Sequence, residues 1–175
     1  PPMWATLHED DVLCHGEATG NLYVTSGGGA GSHTYWWEPA NSDEQNPVGV
    51  FAGMHYVTVT DSVGCTFEDS IYVDEPDAPL SMTYTFINVS CYGGYDGELD
   101  VTPAGGTPPY YYEWSNGMNT QDLMNIPAGD YSISITDANG CDLSHTMVII
   151  EPEPLVANIH SNNVSCFDGS DGYID

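Results

Sequence analysis

Residues 131–136 alternate Tyr, Ile and Ile with Ser, Ser and Thr. Successive strand side chains point to opposite faces, so this period of two predicts a half-buried strand. Similar patterns, bounded by turn residues, predict strands over Ser81–Val89, Glu98–Thr102, Tyr110–Ser115, Asp122–Ile126 and Asp142–Ile150. Asn116-Gly117 is a strong turn signal. No window carries a helical period. Six or seven short strands in about 75 residues, bounded by Gly, Pro, Asn or Asp, predict an antiparallel β-sandwich of the immunoglobulin type.

The pattern repeats. Cys14-His-Gly-Glu-Ala-Thr-Gly20 has counterparts in Cys91-Tyr-Gly-Gly-Tyr-Asp-Gly97 and Cys166-Phe-Asp-Gly-Ser-Asp-Gly172. Thr60-Asp-Ser-Val-Gly-Cys65 matches Thr136-Asp-Ala-Asn-Gly-Cys141, Trp37 matches Trp114, and Glu75-Pro76 matches Glu151-Pro152. Self-similarity at one register is the signature of a repeat architecture. The expectation is therefore an all-β chain of tandem Ig-like modules, end to end, over residues 3–78 and 79–154. A third, truncated module opens at 155–175, and Pro1-Pro2 reads as the tail of a joint. The joints, Asp74-Glu-Pro-Asp-Ala-Pro-Leu80 and Glu151-Pro-Glu-Pro-Leu155, are Pro-rich. Proline lacks an N–H and fixes φ, so such joints predict a semi-rigid rod.

Charge narrows the partners. The chain has 26 Asp and Glu, six His and no Lys or Arg, a formal charge of −26. That repels phosphate backbones and anionic membranes, so nucleic-acid binding is not expected. The hydrophobic content of 41% is too high for disorder. No apolar run is long enough to span a bilayer, and no signal peptide is present. The chain reads as a window of a longer polypeptide, with any targeting signal outside it.

Two cysteines per module suggest disulfides in an oxidising compartment. If strands alternate up and down, the second and sixth begin at the same end. Cys14–Cys65 and Cys91–Cys141 bridges are then plausible, with Cys166 pairing beyond the chain. The alternative is two buried free thiols per module. Trp37 and Trp114 are expected in the cores. Tyr110, Tyr111 and Tyr112 cannot all face inward, so at least one belongs to a candidate contact surface.

Catalytic chemistry is not expected. No histidine occupies the same register in the two complete modules, and no nucleophile elbow, zinc-protease motif or phosphate-binding loop appears. Zinc is disfavoured by the wide Cys spacing. Calcium is the cation to consider, because it wants several oxygen ligands. Its best cluster is Asp168, Asp171 and Asp175, with a weaker counterpart in Asp96, Glu98 and Asp100. In the first module those positions are Thr19, Asn21 and Tyr23. Asn88-Val-Ser90 and Asn163-Val-Ser165 fit the N-glycosylation sequon.

Gly105-Gly-Thr-Pro-Pro-Tyr-Tyr-Tyr-Glu-Trp-Ser-Asn-Gly117, Pro127-Ala-Gly-Asp-Tyr-Ser-Ile-Ser-Ile-Thr-Asp-Ala-Asn-Gly-Cys141 and Glu151-Pro152 together resemble the SprB repeat. That family occurs in very large cell-surface adhesins of gliding and other Bacteroidota. The resemblance implies type IX secretion, a filamentous extracellular location, and roles in gliding motility or attachment. The first module departs from it: residues 28–37 lack the Pro-Pro pair, and His55 replaces the Tyr seen at Tyr131. Asp61-Ser62-Val63 and Asp69-Ser70-Ile71 resemble the Bacteroidota O-glycosylation pattern, making Ser62 and Ser70 candidate acceptors. The expected function is a structural or adhesive segment whose partners are its neighbouring repeats, surface polysaccharide or other surface proteins. The rivals are a carbohydrate- or Ca²⁺-dependent binding module, and an accessory array on a secreted enzyme.

Overall fold

Alternating apolar residues build the observed strands. Residues 1–175 are described in a computed structural model, in which every regular element is a strand. The first six are β1 (Trp4–Asp10), β2 (Gly20–Gly27), β3 (Thr34–Glu38), β4 (Val48–Val50), β5 (Gly53–Thr60) and β6 (Thr66–Val73). The next six are β7 (Ser81–Ile87), β8 (Gly97–Ala104), β9 (Tyr111–Trp114), β10 (Leu123–Ile126), β11 (Gly129–Thr136) and β12 (Asp142–Ile149). A short pair follows, β13 (Ser161–Asn162) and β14 (Tyr173–Ile174). No helix is long and apolar enough to cross a membrane.

Each set of six forms two facing three-stranded antiparallel sheets, β1-β2-β4 against β3-β5-β6 and β7-β8-β10 against β9-β11-β12. In β11 the expected alternation holds: Tyr131, Ile133 and Ile135 are buried, while Ser132 is exposed. They pack with Val89, Leu99, Val101, Trp114, Leu123, Ile126, Met147 and Ile149 into one core. The first sandwich has a smaller core of Val12, Leu22, Val24, Trp37, Val50, Val57, Val59 and Val73. The two are the Ig-like sandwiches that the strand pattern anticipates, with both tryptophans inside.

The expected up-and-down alternation fails at one step, and everything about the cysteines follows from it. β8 runs from the exit pole of its module back to the entry pole, and β9 returns towards the exit. β10 then pairs antiparallel with β8, matching Leu123 with Leu99 and Ile126 with Gly97. It therefore runs in the same direction as β9, in the opposite sheet. Residues 115–122 cross between sheets without a net reversal. β4 sits on β2 in the same sense, through Gly20↔Val50 and Asn21↔Val48. The second and sixth strands thus begin at opposite poles of each sandwich.

The modules differ in polar detail. Trp114 Nε1 donates to Thr120 O at 2.8 Å, whereas buried Trp37 Nε1 has no protein partner. Tyr131 donates its hydroxyl to Pro127 O at 2.9 Å, and His55 Nε2 donates to Phe51 O at the same distance. The His that replaces Tyr thus keeps the same backbone contact, while its Nδ1 lies buried without a partner. An unpaired buried donor costs about 1–3 kcal/mol. Trp114→Phe should therefore destabilise the second sandwich by about 1–2 kcal/mol more than Trp37→Phe destabilises the first. Hydrogen exchange, which resolves the two cores, reads the difference; equal losses would contradict it.

Candidate functional site at the joint between modules

The residues with the most specific geometry gather where the first module meets the second. One half is the loop between β1 and β2, at the exit pole of module one. Glu17 N donates to Cys14 O, closing a tight turn around Cys14. Gly16 N donates to Glu75 Oε2 at 2.6 Å, and His15 Nδ1 bonds Pro76 O at 2.8 Å. The carboxylate of the joint's Glu-Pro pair thus holds the cysteine loop. His15 Nδ1 also lies 3.6 Å from Glu75, a contact that becomes an ion pair when the imidazole is protonated.

The other half is the turn between β11 and β12, at the entry pole of module two. Asp137 is buried and organises it. Its Oδ1 accepts from Asn139 N and Cys141 N, both at 2.9 Å, and its Oδ2 from Thr107 N at 2.8 Å. Burial pushes the Asp137 carboxyl upward, but the N–H groups of Thr107, Cys141, Asn139 and Gly140 outweigh it, and the net shift is downward. Asp61 repeats the arrangement: its Oδ1 accepts from Val63 N and Cys65 N, and its Oδ2 from Ala30 N. The Cys65 N–H leads in holding Asp61 below the usual carboxylate range, against burial.

These halves meet covalently. Cys14 is disulfide-bonded to Cys141, with the Cα atoms 5.7 Å apart and 127 residues between them in sequence. Asn139 Nδ2 adds a 2.9 Å hydrogen bond to Leu13 O and a 3.1 Å bond to Thr107 Oγ1. A close backbone approach completes the joint: Gly105 has φ +70°, and a Cβ there would run into Pro79 O. Gly28 repeats this against Pro2 O with φ +75°.

The expected bridges Cys14–Cys65 and Cys91–Cys141 are therefore corrected to a single bridge between modules. Cys65, Cys91 and Cys166 are free and exposed, so the alternative of buried thiols fails as well. The physical reason is the shared direction of β9 and β10, and of β3 and β4. It places a module's two cysteines at opposite poles, separated by strands of eight residues, roughly 27 Å. A disulfide needs Cα atoms within about 7 Å.

The other expected residues do not converge. No three His, Cys, Asp or Glu side chains come together as a metal site. Asp96 and Asp171 each accept from a serine N–H at 3.0 Å, Ser90 and Ser165 respectively. Those serines hold both carboxyls below their ordinary range. Asp168 lies in the left-handed region with φ 58°, within the Cys166 loop. Asp100 is exposed on β8 opposite Thr85, and Asp175 pairs its backbone with His160. Of the three tyrosines, Tyr111 is 61% exposed. Tyr110 and Tyr112 are half-buried against the core. They line a shallow groove with Glu113, Asn119, Ser134 and Thr136. Ser70 is exposed on β6; Ser62 is exposed and donates to Ala30 O at 2.7 Å. Glu75 and Asn139 were not anticipated as site residues. The recurrence of Glu75-Pro76 and Glu151-Pro152 was visible but reads as linker, whereas Asn139 has only Val63 as its counterpart and gives no repeat signal.

Two antiparallel sandwiches joined by a disulfide define an all-β protein with an Ig-like fold. The SprB repeat family model matches residues 83–119, from β7 into the β9–β10 connection. No curated protein matches the chain. Among solved structures it is similar to surface layer protein SbsC, domains 4–9, at 12% identity and TM-score 0.32, over 94% of this chain and 34% of that one. It is also similar to the N-terminal eight Ig domains of Down Syndrome Cell Adhesion Molecule (DSCAM), at 11% identity and TM-score 0.39, over 85% of this chain and 25% of that one. The chain spans about a third and a quarter of those structures.

The two aspartates set an acid limit. Their folded-state pKa values lie below the unfolded ones, so in acid the unfolded chain takes up protons first. Their stabilisation is present above about pH 4 and is lost as pH falls through the folded values. Asp137→Asn turns one acceptor oxygen into a donor facing N–H groups. It should cost about 1–3 kcal/mol at pH 7 and flatten the loss of stability below pH 4. Thermal melts from pH 7 to pH 2 test this; an unchanged acid limb would refute it.

Proposed function

We propose that this chain is a non-enzymatic structural repeat segment of a large secreted cell-surface filament or adhesin, serving attachment or gliding motility. The observation that carries the reading is the Cys14–Cys141 bond, which fixes one module to the next. A covalent link between modules is what a long appendage under tension requires, and it contributes nothing to a catalytic pocket. The SprB repeat supports a surface location and export by type IX secretion. Disulfide use fits the extracellular side. The surface carries a single sign of charge, which keeps neighbouring fibres apart. In this reading the modules' partners are each other, and ligand binding lies elsewhere in the parent chain.

A second reading, a polysaccharide-binding module, rests on exposed Tyr111 and its groove. The register of Trp37 with Trp114 puts Thr34 opposite Tyr111 in the first module, so that face is not repeated. A stalk needs every module, whereas a binding face needs only one.

Protease shaving of intact cells should release these modules without lysis, and antibodies raised against them should label unpermeabilised cells. Labelling only after permeabilisation would overturn the surface reading. Excising both modules in frame should shorten the reach of attachment while leaving affinity unchanged. Loss of attachment upon Tyr111→Ala alone would favour the binding module instead.

A further inference from the structure

We propose that the intermodule disulfide is one rung of a continuous ladder. Cys91 is bonded to the second-position cysteine of the third module, and Cys65 to the first-position cysteine of a module ahead. The link then bears the tension along the fibre.

The thiols of Cys91 and Cys65 are presented in the geometry of the bonded ones. Around Cys91, Gly94 N donates to Cys91 O at 2.9 Å, as Glu17 N does to Cys14 O at 3.0 Å. Gly93 N donates to Glu151 Oε2 at 2.5 Å, as Gly16 N does to Glu75. Val89 N donates to Ile150 O, as Val12 N does to Asp74 O. Cys91 therefore stands at the exit pole of module two in the place Cys14 holds in module one, facing the next joint. Cys65 matches Cys141 in the same way. Asp61 N and Asp137 N each donate to the cysteine carbonyl at 3.0 Å, and each Asp Oδ1 accepts from the cysteine N at 2.9 Å. The chain itself supplies what faces Cys91. Residues 155–175 repeat the opening of a module, and Cys166 already has its own turn, Gly169 N to Cys166 O at 2.9 Å. A second copy of the chain would have to displace this continuation.

Closing a rung joins two Sγ atoms and removes both thiol hydrogens. The two electrons and, by way of water, the two protons pass to the disulfide of an extracytoplasmic thiol–disulfide oxidoreductase, which is reduced to a dithiol.

The mechanical consequence follows from where the rungs attach. Tension entering at β1 reaches Cys14, crosses to Cys141 and leaves along β12. The residues between them carry none of it. With the ladder continued, only Cys141–Cys166 lies between two successive rungs on this path. That stretch is β12, the joint and the opening of the third module, roughly 85 Å when straight. Much of it is already extended as strand, so the fibre yields almost no length.

Two measurements on the full secreted polypeptide test this. Thiols are blocked with N-ethylmaleimide, and the protein is digested without reduction by glutamyl endopeptidase and chymotrypsin. The Cys91 peptide should emerge joined to a peptide of T-D-x-x-G-C type from the third module. N-ethylmaleimide on Cys91, or its linkage to Cys65, Cys141 or another copy, would overturn the proposal. In single-molecule pulling, the oxidised fibre should show no module-sized unfolding steps. After reduction, steps of about 230 Å per 75-residue module should appear, the extended contour less the length of the folded sandwich. Such steps before reduction would overturn the load-bearing ladder even if the linkages were found.

Discussion

The structure depends most on one topological constraint: the third and fourth strands of each sandwich run in the same direction. Had they alternated, the two cysteines of a module would share a pole and could close on each other. Instead about 27 Å of sandwich lies between them, far beyond the reach of a disulfide. A module with cysteines at both poles cannot satisfy itself. The first module's Cys14 reaches across the joint to Cys141 of the next module instead. The covalent link between the two modules is thus a consequence of how one loop, residues 115–122, changes sheet.

The missing cations act on the same joint. With no Lys or Arg in the chain, carboxylates cannot be neutralised by ordinary salt bridges. The structurally engaged ones accept backbone N–H groups instead: Asp61 and Asp137 inside the turns, Glu75 and Glu151 on the cysteine loops. These acids shape the poles. The remaining acids repel other copies of the rod side by side. End-to-end contact persists because it rests on a disulfide and on hydrogen bonds such as Asn139 to Leu13, which do not depend on net charge. Negative charge thus opposes side-by-side contact, while the covalent joint holds the two modules end to end.

Much of this is legible in the sequence, and the failures lie where local pattern ends. The strands of the middle module, its buried Trp114 and the recurring Cys and Asp-turn motifs all come from local pattern, because burial and turn chemistry are local. The pairing of the cysteines does not. It turns on the direction of β10, and β10 has only Leu123 and Ile126 pointing into the core, the weakest periodic signal of the six. The calcium clusters misled for a different reason. Asp96 and Asp171 look like spare ligands in a list of acids, yet each already accepts from a serine N–H six residues earlier. Sequence spacing cannot distinguish an acid reserved for a cation from one that closes its own loop.

The joint also answers a disparity between the modules. The first sandwich has the smaller core, an unpartnered Trp37 Nε1 and a buried His55 Nδ1 without a bond. The second has the larger core and satisfies the corresponding Trp and Tyr groups. A bridge within each module would leave the weaker one to its own resources. A bridge closing 127 residues constrains the unfolded state of both by about 5 kcal/mol in the chain-entropy model. Because the loop spans both sandwiches, that restriction is shared, and loss of one module's core no longer frees its chain ends. Variation such as His for Tyr or an unpaired Trp is then tolerable in one module so long as its neighbours stay folded. In a repeat chain whose modules diverge, cross-linking neighbours preserves the rod where strengthening each unit alone would not.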